Sequence, residues 1–425
     1  MLGRKITKIN SILYILLFGV SKALVAEPVP LTLPEVERIT IANAPELQRL
    51  EATSEAFAQQ AIADGQLPDP KLVTGAVNVP ANSFSFTQDD MTMVEIGVQQ
   101  SFPPGDTLAI KSKQTQEKSN AEKRKFEDQK VFLVRTVREI WLNLYYWTQA
   151  AHVVRENQSL YRQLLKAAES LYSAGKGTLS DVTQAQLELS RLDDQVIQIQ
   201  QQIDVLRAQL GRYIGKADAN RPLSNSLPQW PNPLPLDTLE TCLYQHPLLK
   251  VDAANVEVAR NEVALANEQY KPGVMVDAGY GIRQGRFSCC GGRRSDMISA
   301  SVTMDLPIFT PNRQDRHFQA TSSQFTAAQL DRQIHYRDLL KDLRTQYDFW
   351  QRFAQRETLY EKQLVPEAKQ NSKASLFAYQ SATVEIASVL LAFSRELTIE
   401  LEQQQIKAEG AKARAALFYL EGVTE

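Results

Sequence analysis

The sequence predicts a mainly α protein with a smaller β part that crosses a membrane. Duplicated long helical hairpins would form a trimeric α-barrel. Four strands per chain would contribute to a 12-stranded β-barrel. Three observations predict this. The second half of the chain repeats the first, residues 106–174 hold neither glycine nor proline, and four short segments alternate apolar and polar residues.

Residues 1–26 read as a secretory signal peptide. A basic start from Arg4 to Lys8 leads into the apolar run Ile12–Val20, with small residues at Ser21, Ala23 and Ala26. A bilayer span takes about 20 apolar residues, so this run is too short to be one. Cleavage is expected after Ala23 or Ala26. These residues carry four basic groups and no acid, so the remainder is more acidic than the formal charge of −2 for all 425 residues. A mildly acidic chain with no Lys/Arg stripe argues against nucleic acid as a partner. Three cysteines, Cys242, Cys289 and Cys290, do not make a disulfide scaffold. The adjacent pair sits in a Gly/Arg-rich loop and is either a soft-metal pair or incidental loop chemistry.

The repeat sets the domains. Pro45, Leu47, Ala52 and Pro70 match Pro247, Leu249, Ala254 and Pro272, all at an offset of 202. Val98 and Pro103 match Val302 and Pro307 at 204, Trp147 matches Trp350 at 203, and Thr178 matches Thr383 at 205. Two unrelated helical segments would not keep register across turns and strands. The first repeat is 27–215 and the second 236–425. The connector 216–235 between them is dense in Pro, Asn and Gly.

Each repeat opens with a helix and continues with two strands. They are 71–79 and 91–102 in the first, 274–283 and 297–306 in the second. In 297–306, Ile298, Ala300, Val302, Met304 and Leu306 face one way, and Ser299, Ser301, Thr303 and Asp305 the other. In 71–79 the pattern is weaker, with Val73, Val77 and Val79 opposing Thr74, Ala76 and Asn78. Each run of about 9–10 residues suffices for a tilted strand to cross a bilayer, one face to lipid and one to water. Open sheet edges leave backbone groups unpaired in hydrocarbon, so the sheet must close. Eight strands from a dimer would have a filled interior, whereas twelve from a trimer leave a lumen. The strand loops 80–90 and 283–296 are largely polar and suit an outward position.

Helical hairpins follow, 106–210 and 312–409. At 1.5 Å per residue, an uninterrupted helix over 106–174 would run about 100 Å, far beyond a compact domain. On its return partner, Leu189, Leu192, Val196, Ile199, Ile203, Leu206 and Leu210 step by 3 and 4. That 3.5-residue period keeps one seam against a partner helix. In the second hairpin Pro366 is the only proline break. Trp141, Tyr145, Tyr146 and Trp147 cover more than one helix face and are read as packing between helices.

With these elements in order, the chain resembles the TolC-type outer-membrane efflux proteins over about residues 30–422. The helix starts NAPELQ and QHPLLK carry the resemblance. So do the passages LPDPKL and YKPGV into strands, and QSFPPG and DLPIFTPN back into helices. SLYSAGKGTLSDVTQAQ and SLFAYQSATVEIASV resemble the family's hairpin tips. The stretch MTMVEIGVQQSFPPG is more like the heavy-metal-cation (CzcC/CusC-like) branch than the multidrug branch.

The resemblance implies a homotrimer in outer-membrane lipid, with the α-barrel in the periplasm. A periplasmic adaptor (membrane fusion) protein and an inner-membrane RND-type pump would dock at the tips. The chain would then be a passive duct, with metal cations as the expected cargo and drugs or organic solutes as the alternative. In the family, acidic residues at the tips form a gate. Asp181, in GTLSDV, matches a tip aspartate, and Glu385 is a second acid near the other tip. Threefold symmetry would turn each into a ring of carboxylates that concentrates cations. Asp181 is equally open to a reading as the cap of the helix after Gly177, and Glu385 to one as a solvated helix residue. Ser388 and Leu391 stand where well-known members carry paired aspartates, so the double acidic ring is incomplete.

No catalytic site or cofactor is expected. His152, His246, His317 and His335 lack metal-ligand spacing, and no phosphate loop or nucleophile–base constellation is present. A periplasmic coiled-coil adaptor or scaffold is the rival of another class. It calls for one hairpin and no duplicated alternating strands.

Overall fold

The computed structural model describes residues 30–286 and 291–423. The expected signal segment 1–26 and the pair Cys289–Cys290 lie outside the described residues. Cys242 is exposed and free.

The first half contains α1 (Leu33–Asn43), α2 (Pro45–Asp64), β1 (Lys71–Val77), β2 (Met93–Phe102), α3 (Thr107–Ser173) and α4 (Leu179–Ile214). The second follows two short helices, α5 (Lys216–Ala219) and α6 (Leu236–Cys242). It contains α7 (Pro247–Glu268), β3 (Val274–Ile282), β4 (Met297–Met304), α8 (Gln314–Leu359), α9 (Val365–Gln380) and α10 (Ile386–Glu421). Proline opens both α2 and α7, where a first-turn residue needs no N–H. No described helix is long and apolar enough to cross a membrane.

Helix α3 runs 67 residues without a break, about 100 Å at 1.5 Å each. The α4 seam packs on it. Leu192, Ile199, Ile203 and Leu210 are buried there, with Leu189, Val196 and Leu206 partly so. They meet Trp141, Leu142, Tyr145, Val154, Tyr161 and Leu164 of α3. Each such side chain stabilises by about 1.5–3 kcal/mol when fully buried, which holds two rods of limited intrinsic stability together. Trp141 stacks on Tyr145 with ring centroids 5.8 Å apart, so these rings serve packing.

Pro366 does not break the second hairpin. Helix α8 continues through a π turn, Tyr360–Leu364, straight into α9. Proline removes one i→i−4 hydrogen bond and crowds the preceding turn. The wider π turn absorbs both defects, so the rod passes on to a tip at Ser381–Glu385. A smaller core of Leu239, Leu243, Leu249, Leu339, Leu343, Leu417 and Leu420 closes the second half.

The connector is strapped down. Leu31 donates its N–H to Pro222 O at 2.8 Å, and Ser224 N–H returns to Leu31 O. Trp230 meets Phe418 edge-on, and the buried Arg138 guanidinium lies against both rings.

The four strands form one antiparallel sheet in the order β1-β2-β3-β4. Strand β1 stops at Val77 because Asn78 turns to a left-handed φ of 57°. The pairing corrects the face expected for this strand. Leu72 lies opposite Val98, Thr74 opposite Ile96 and Ala76 opposite Val94. Val73 lies opposite Gly97 and Val77 opposite Met93, on the face that carries Glu95 and Gln99. The valines therefore share the polar face. Cross-strand neighbours decide the side of a weakly alternating strand.

Candidate functional site

One sheet face is mainly apolar, with Thr74 and Gln100 as its polar members. It presents Leu72, Val98, Ile298 and Val302, which are 73, 51, 84 and 66% exposed in the isolated chain. An exposed apolar face of this extent marks contact with lipid or a partner. The other face is polar and carries acids. Gln99 Nε2 donates to Asp277 Oδ1 at 2.6 Å, and Ser301 Oγ donates to Asp277 Oδ2 at 3.3 Å. Ser299 Oγ donates to Glu95 Oε1 at 3.0 Å. Gly279 lies between these strands, and any Cβ there would strike the Glu95 and Ser299 side chains. Glycine at this position opens the space in which the Glu95 carboxylate lies. The sequence does not single out Glu95 and Asp277. Their joint position depends on the strand order.

The far ends of the rods are the hairpin tips. Helix α3 closes with Gly175 at φ 70°, while Lys176 and Gly177 N–H groups both return to Leu171 O. Thr178 then caps α4. Asp181 N–H donates to Thr178 Oγ1, and Thr178 N–H donates to Asp181 Oδ2, both at 3.2 Å. This is a capping box, with the carboxylate at the positive end of the helix. Asp181 thus has the cap geometry. Its Oδ1 takes no hydrogen bond among the described residues.

The second tip is built differently. Ala382 takes the left-handed φ of 57°, and Thr383 N–H returns to Ala378 O at 3.0 Å. Glu385 is the N-cap of α10, is exposed, and makes no side-chain cap bond. The caps Thr178 and Glu385 are 207 residues apart, as are Gly175 and Ala382. The match of Thr178 to Thr383 is therefore not a structural equivalence, and the counterpart of Asp181 is Ser388.

The two tips of one chain meet. Tyr379 of α9 is 3% exposed and packs with Ala185, Leu376, Ile386 and Val389. Its hydroxyl is buried and has no hydrogen-bond partner among the described residues. Burial raises its pKa, and the Asp181 charge raises it further. Sequence reading missed Tyr379, since one tyrosine before a turn carries no signal of its own.

Higher along the rods, α3, α9 and α10 enclose a second polar cluster. Asn157 Nδ2 donates to Glu400 Oε2 at 2.8 Å, and Lys369 Nζ pairs with Glu400 Oε1 at 2.7 Å. Glu396 lies beside them, 5% exposed, and burial raises its pKa.

The family model for outer membrane efflux proteins matches residues 38–216 and 238–423, most of the chain. The chain belongs to the outer membrane efflux protein family. It is a passive channel and not an enzyme, seated in the outer membrane with its helical part in the periplasm. No curated protein sequence matches it. Among solved structures it is similar to the outer membrane protein VceC of Vibrio cholerae. That match has 16% identity and a TM-score of 0.75, covering 92% of this chain and 96% of that one. It is also similar to the CmeC outer membrane channel of Campylobacter jejuni, at 12% identity and a TM-score of 0.77, covering 92% and 85%. CusC, a transmembrane channel, matches at 14% identity and a TM-score of 0.74, covering 93% of each chain. These likenesses establish the fold, an α-barrel joined to a β-barrel.

Proposed function

We propose that the chain is one protomer of a homotrimeric exit duct in a tripartite efflux system. The duct receives its cargo from an inner-membrane RND-type pump through a periplasmic adaptor. The observation that carries this is the four-stranded sheet. It is too narrow to close alone, it is apolar on one face, and it bears Glu95 and Asp277 on the other. Three copies give twelve strands around a lumen. The two repeats, 27–215 and 236–425, joined by 216–235, give each protomer two rods that continue that lumen into the periplasm.

Metal cations are the proposed cargo. The carboxylates of the polar sheet face and the likeness to CusC support this reading. Asp181 and Glu385 are the proposed gate carboxylates at the periplasmic tips. Rings of three would raise the local cation concentration by field focusing. Outer-membrane fractionation and an SDS-resistant trimer test the duct. A deletion strain challenged with metal salts and with dyes tests the cargo, since sensitivity to dyes alone would point to organic solutes. Asp181→Asn in planar bilayers tests the gate. Unchanged conductance and unchanged cation block would remove Asp181 from that role.

A further inference from the structure

About 15 Å into α10 from its start at the tip, Glu396 lies in the seam where α10 packs on α3 and α9. It is buried, and its Oε2 has no hydrogen-bond partner among the described residues. Asn157, buried on α3, leaves its Oδ1 equally unpartnered. Both orphans are acceptors, so this seam is short of a donor.

The groups facing Glu396 do not supply one. On α9, Lys369 Nζ is taken by Glu400 at 2.7 Å, and Lys373 acts on Glu396 through its charge. On α10 itself the Glu400 charge opposes a second charge on Glu396. On α3, Asn157 Nδ2 goes to Glu400 and to Val153 O, Glu156 lies toward Lys369, and Tyr161 keeps its proton more firmly because Glu396 is near. From the α8 side, Tyr360 donates to Glu402. Ser372 of α9 is buried and stands beside the Glu396 carboxyl. Its single hydroxyl proton goes to Lys369 O at 3.1 Å, which leaves Oγ as an acceptor toward Glu396. A hydrogen bond between these two side chains then needs a proton on Glu396. Among the described residues no group of three His, Cys, Asp or Glu side chains could hold a metal ion, so a proton is the cation that fits.

We propose that Glu396 is a proton-held latch of the helical layer. Its neutral carboxyl donates to Ser372 Oγ and seats α10 on α3 and α9. Its ionised form loosens that seam just below the tips. The latch is independent of the cargo and of the gate carboxylates Asp181 and Glu385.

The packing makes ionisation costly. Toward the tips the seam is filled by Phe393, edge-on to Tyr161 with ring centroids 5.2 Å apart, and by Val389, Ile386 and Tyr379. Burial raises the Glu396 pKa, and the Glu400 charge raises it further against the pull of Lys369 and Lys373. A carboxylate here needs water, and parting α10 from α3 admits it. In the parted, hydrated seam the carboxyl has its ordinary pKa. The closed seam is therefore favoured at low pH, and that preference is lost as pH rises through the raised value.

Hydrogen exchange read by mass spectrometry on the full-length chain in detergent micelles tests the latch. Exchange over 365–380 and 386–400, corrected for its intrinsic rate, is followed from about pH 5 to 8. The parent should lose protection in both segments as pH rises. Glu396→Gln keeps a neutral donor at every pH, so its protection should stay high and flat. A parent without pH dependence overturns the latch, and so does a Gln variant that keeps the parent's slope. Ser372→Ala separates the proton from simple packing. It removes the acceptor of the neutral carboxyl, so the midpoint of the parent's profile should move to lower pH. An upward shift would show Ser372 donating to a carboxylate and overturns the assignment, as does an unmoved midpoint. The infrared C=O band of a protonated carboxylic acid is a second reading. In the parent-minus-Glu396→Gln difference spectrum it should be present near pH 5 and fade as pH rises. Its absence at the acid end overturns the proposal.

Discussion

The Glu268 carboxylate accepts the backbone N–H of Asp106 at 2.7 Å, so the end of α7 caps the start of α3. Lys271 Nζ holds the same carboxylate at 2.7 Å. These contacts, the Lys271 bond foremost, keep the Glu268 pKa below its usual value. Gly105 precedes the turn at φ 53°, and a Cβ there would run into the Glu268 carboxylate and Lys271. Sheet and rods are joined at this point. Gly105→Ala should destabilise the chain by about 2–3 kcal/mol, from left-handed strain and a broken charged hydrogen bond. Glu268→Gln keeps an acceptor and should cost only about 1 kcal/mol. Denaturant unfolding followed by helical circular dichroism gives both values.

Asn157 and Glu400 are 243 residues apart and share a hydrogen bond inside the helical layer. Glu400 is 8% exposed, so a lost donor is not replaced by water at full strength. Asn157→Leu should cost about 1–3 kcal/mol, and adding Glu400→Gln should recover part of that loss. Additive costs in the double-mutant cycle would show that the two residues do not interact.

The rods were legible in the sequence because their signal is local. Freedom from glycine and proline over 106–174, and the 3–4 stepping from Leu189 to Leu210, state a long helix and its buried seam. Other features depend on distant partners and were not legible. The side taken by Val73 and Val77 is set by pairing with Gly97 and Met93, not by their own alternation. The passage through Pro366 depends on a π turn that no residue type announces. At the candidate gate, the Thr178–Asp181 box could be read from its spacing, which allows a cap. Its proximity to Tyr379 could not, because the two tips meet only after both hairpins have formed.

The unequal tips should differ in stability. Thr178→Ala removes the cap acceptor of α4 and should cost about 1 kcal/mol, seen as faster amide exchange over 179–183. Ala382 pays for its left-handed backbone with Cβ crowding. Ala382→Gly should relieve this by a few tenths of a kcal/mol to 1 kcal/mol, with glycine's greater unfolded entropy setting the lower figure. Slower exchange at the start of α10 is the matching observation.

His246 accepts from Leu248 N–H through Nδ1, so Nε2 carries the proton donated to Tyr419 O at 3.0 Å. That arrangement needs the neutral ring, and burial lowers its pKa to about 4. Protonation therefore favours the unfolded chain. Stability from His246 is full above pH 6.5 and is lost as pH falls toward 4, by up to about 3 kcal/mol. Asp128 works in the opposite sense. Burial first, and then the Asp252 charge, raise its pKa to about 6 against the attraction of His335. Its carboxylate burdens the fold above pH 6, and protonation removes that burden as pH falls from about 6 to 4, again by up to about 3 kcal/mol. The two windows overlap and their slopes oppose, so the parent chain should change little in stability between pH 6 and 4. Asp128→Asn should expose a steep loss on acidification over that range, and His246→Asn a gain. Parallel profiles for the parent and both variants would show that neither group governs acid stability.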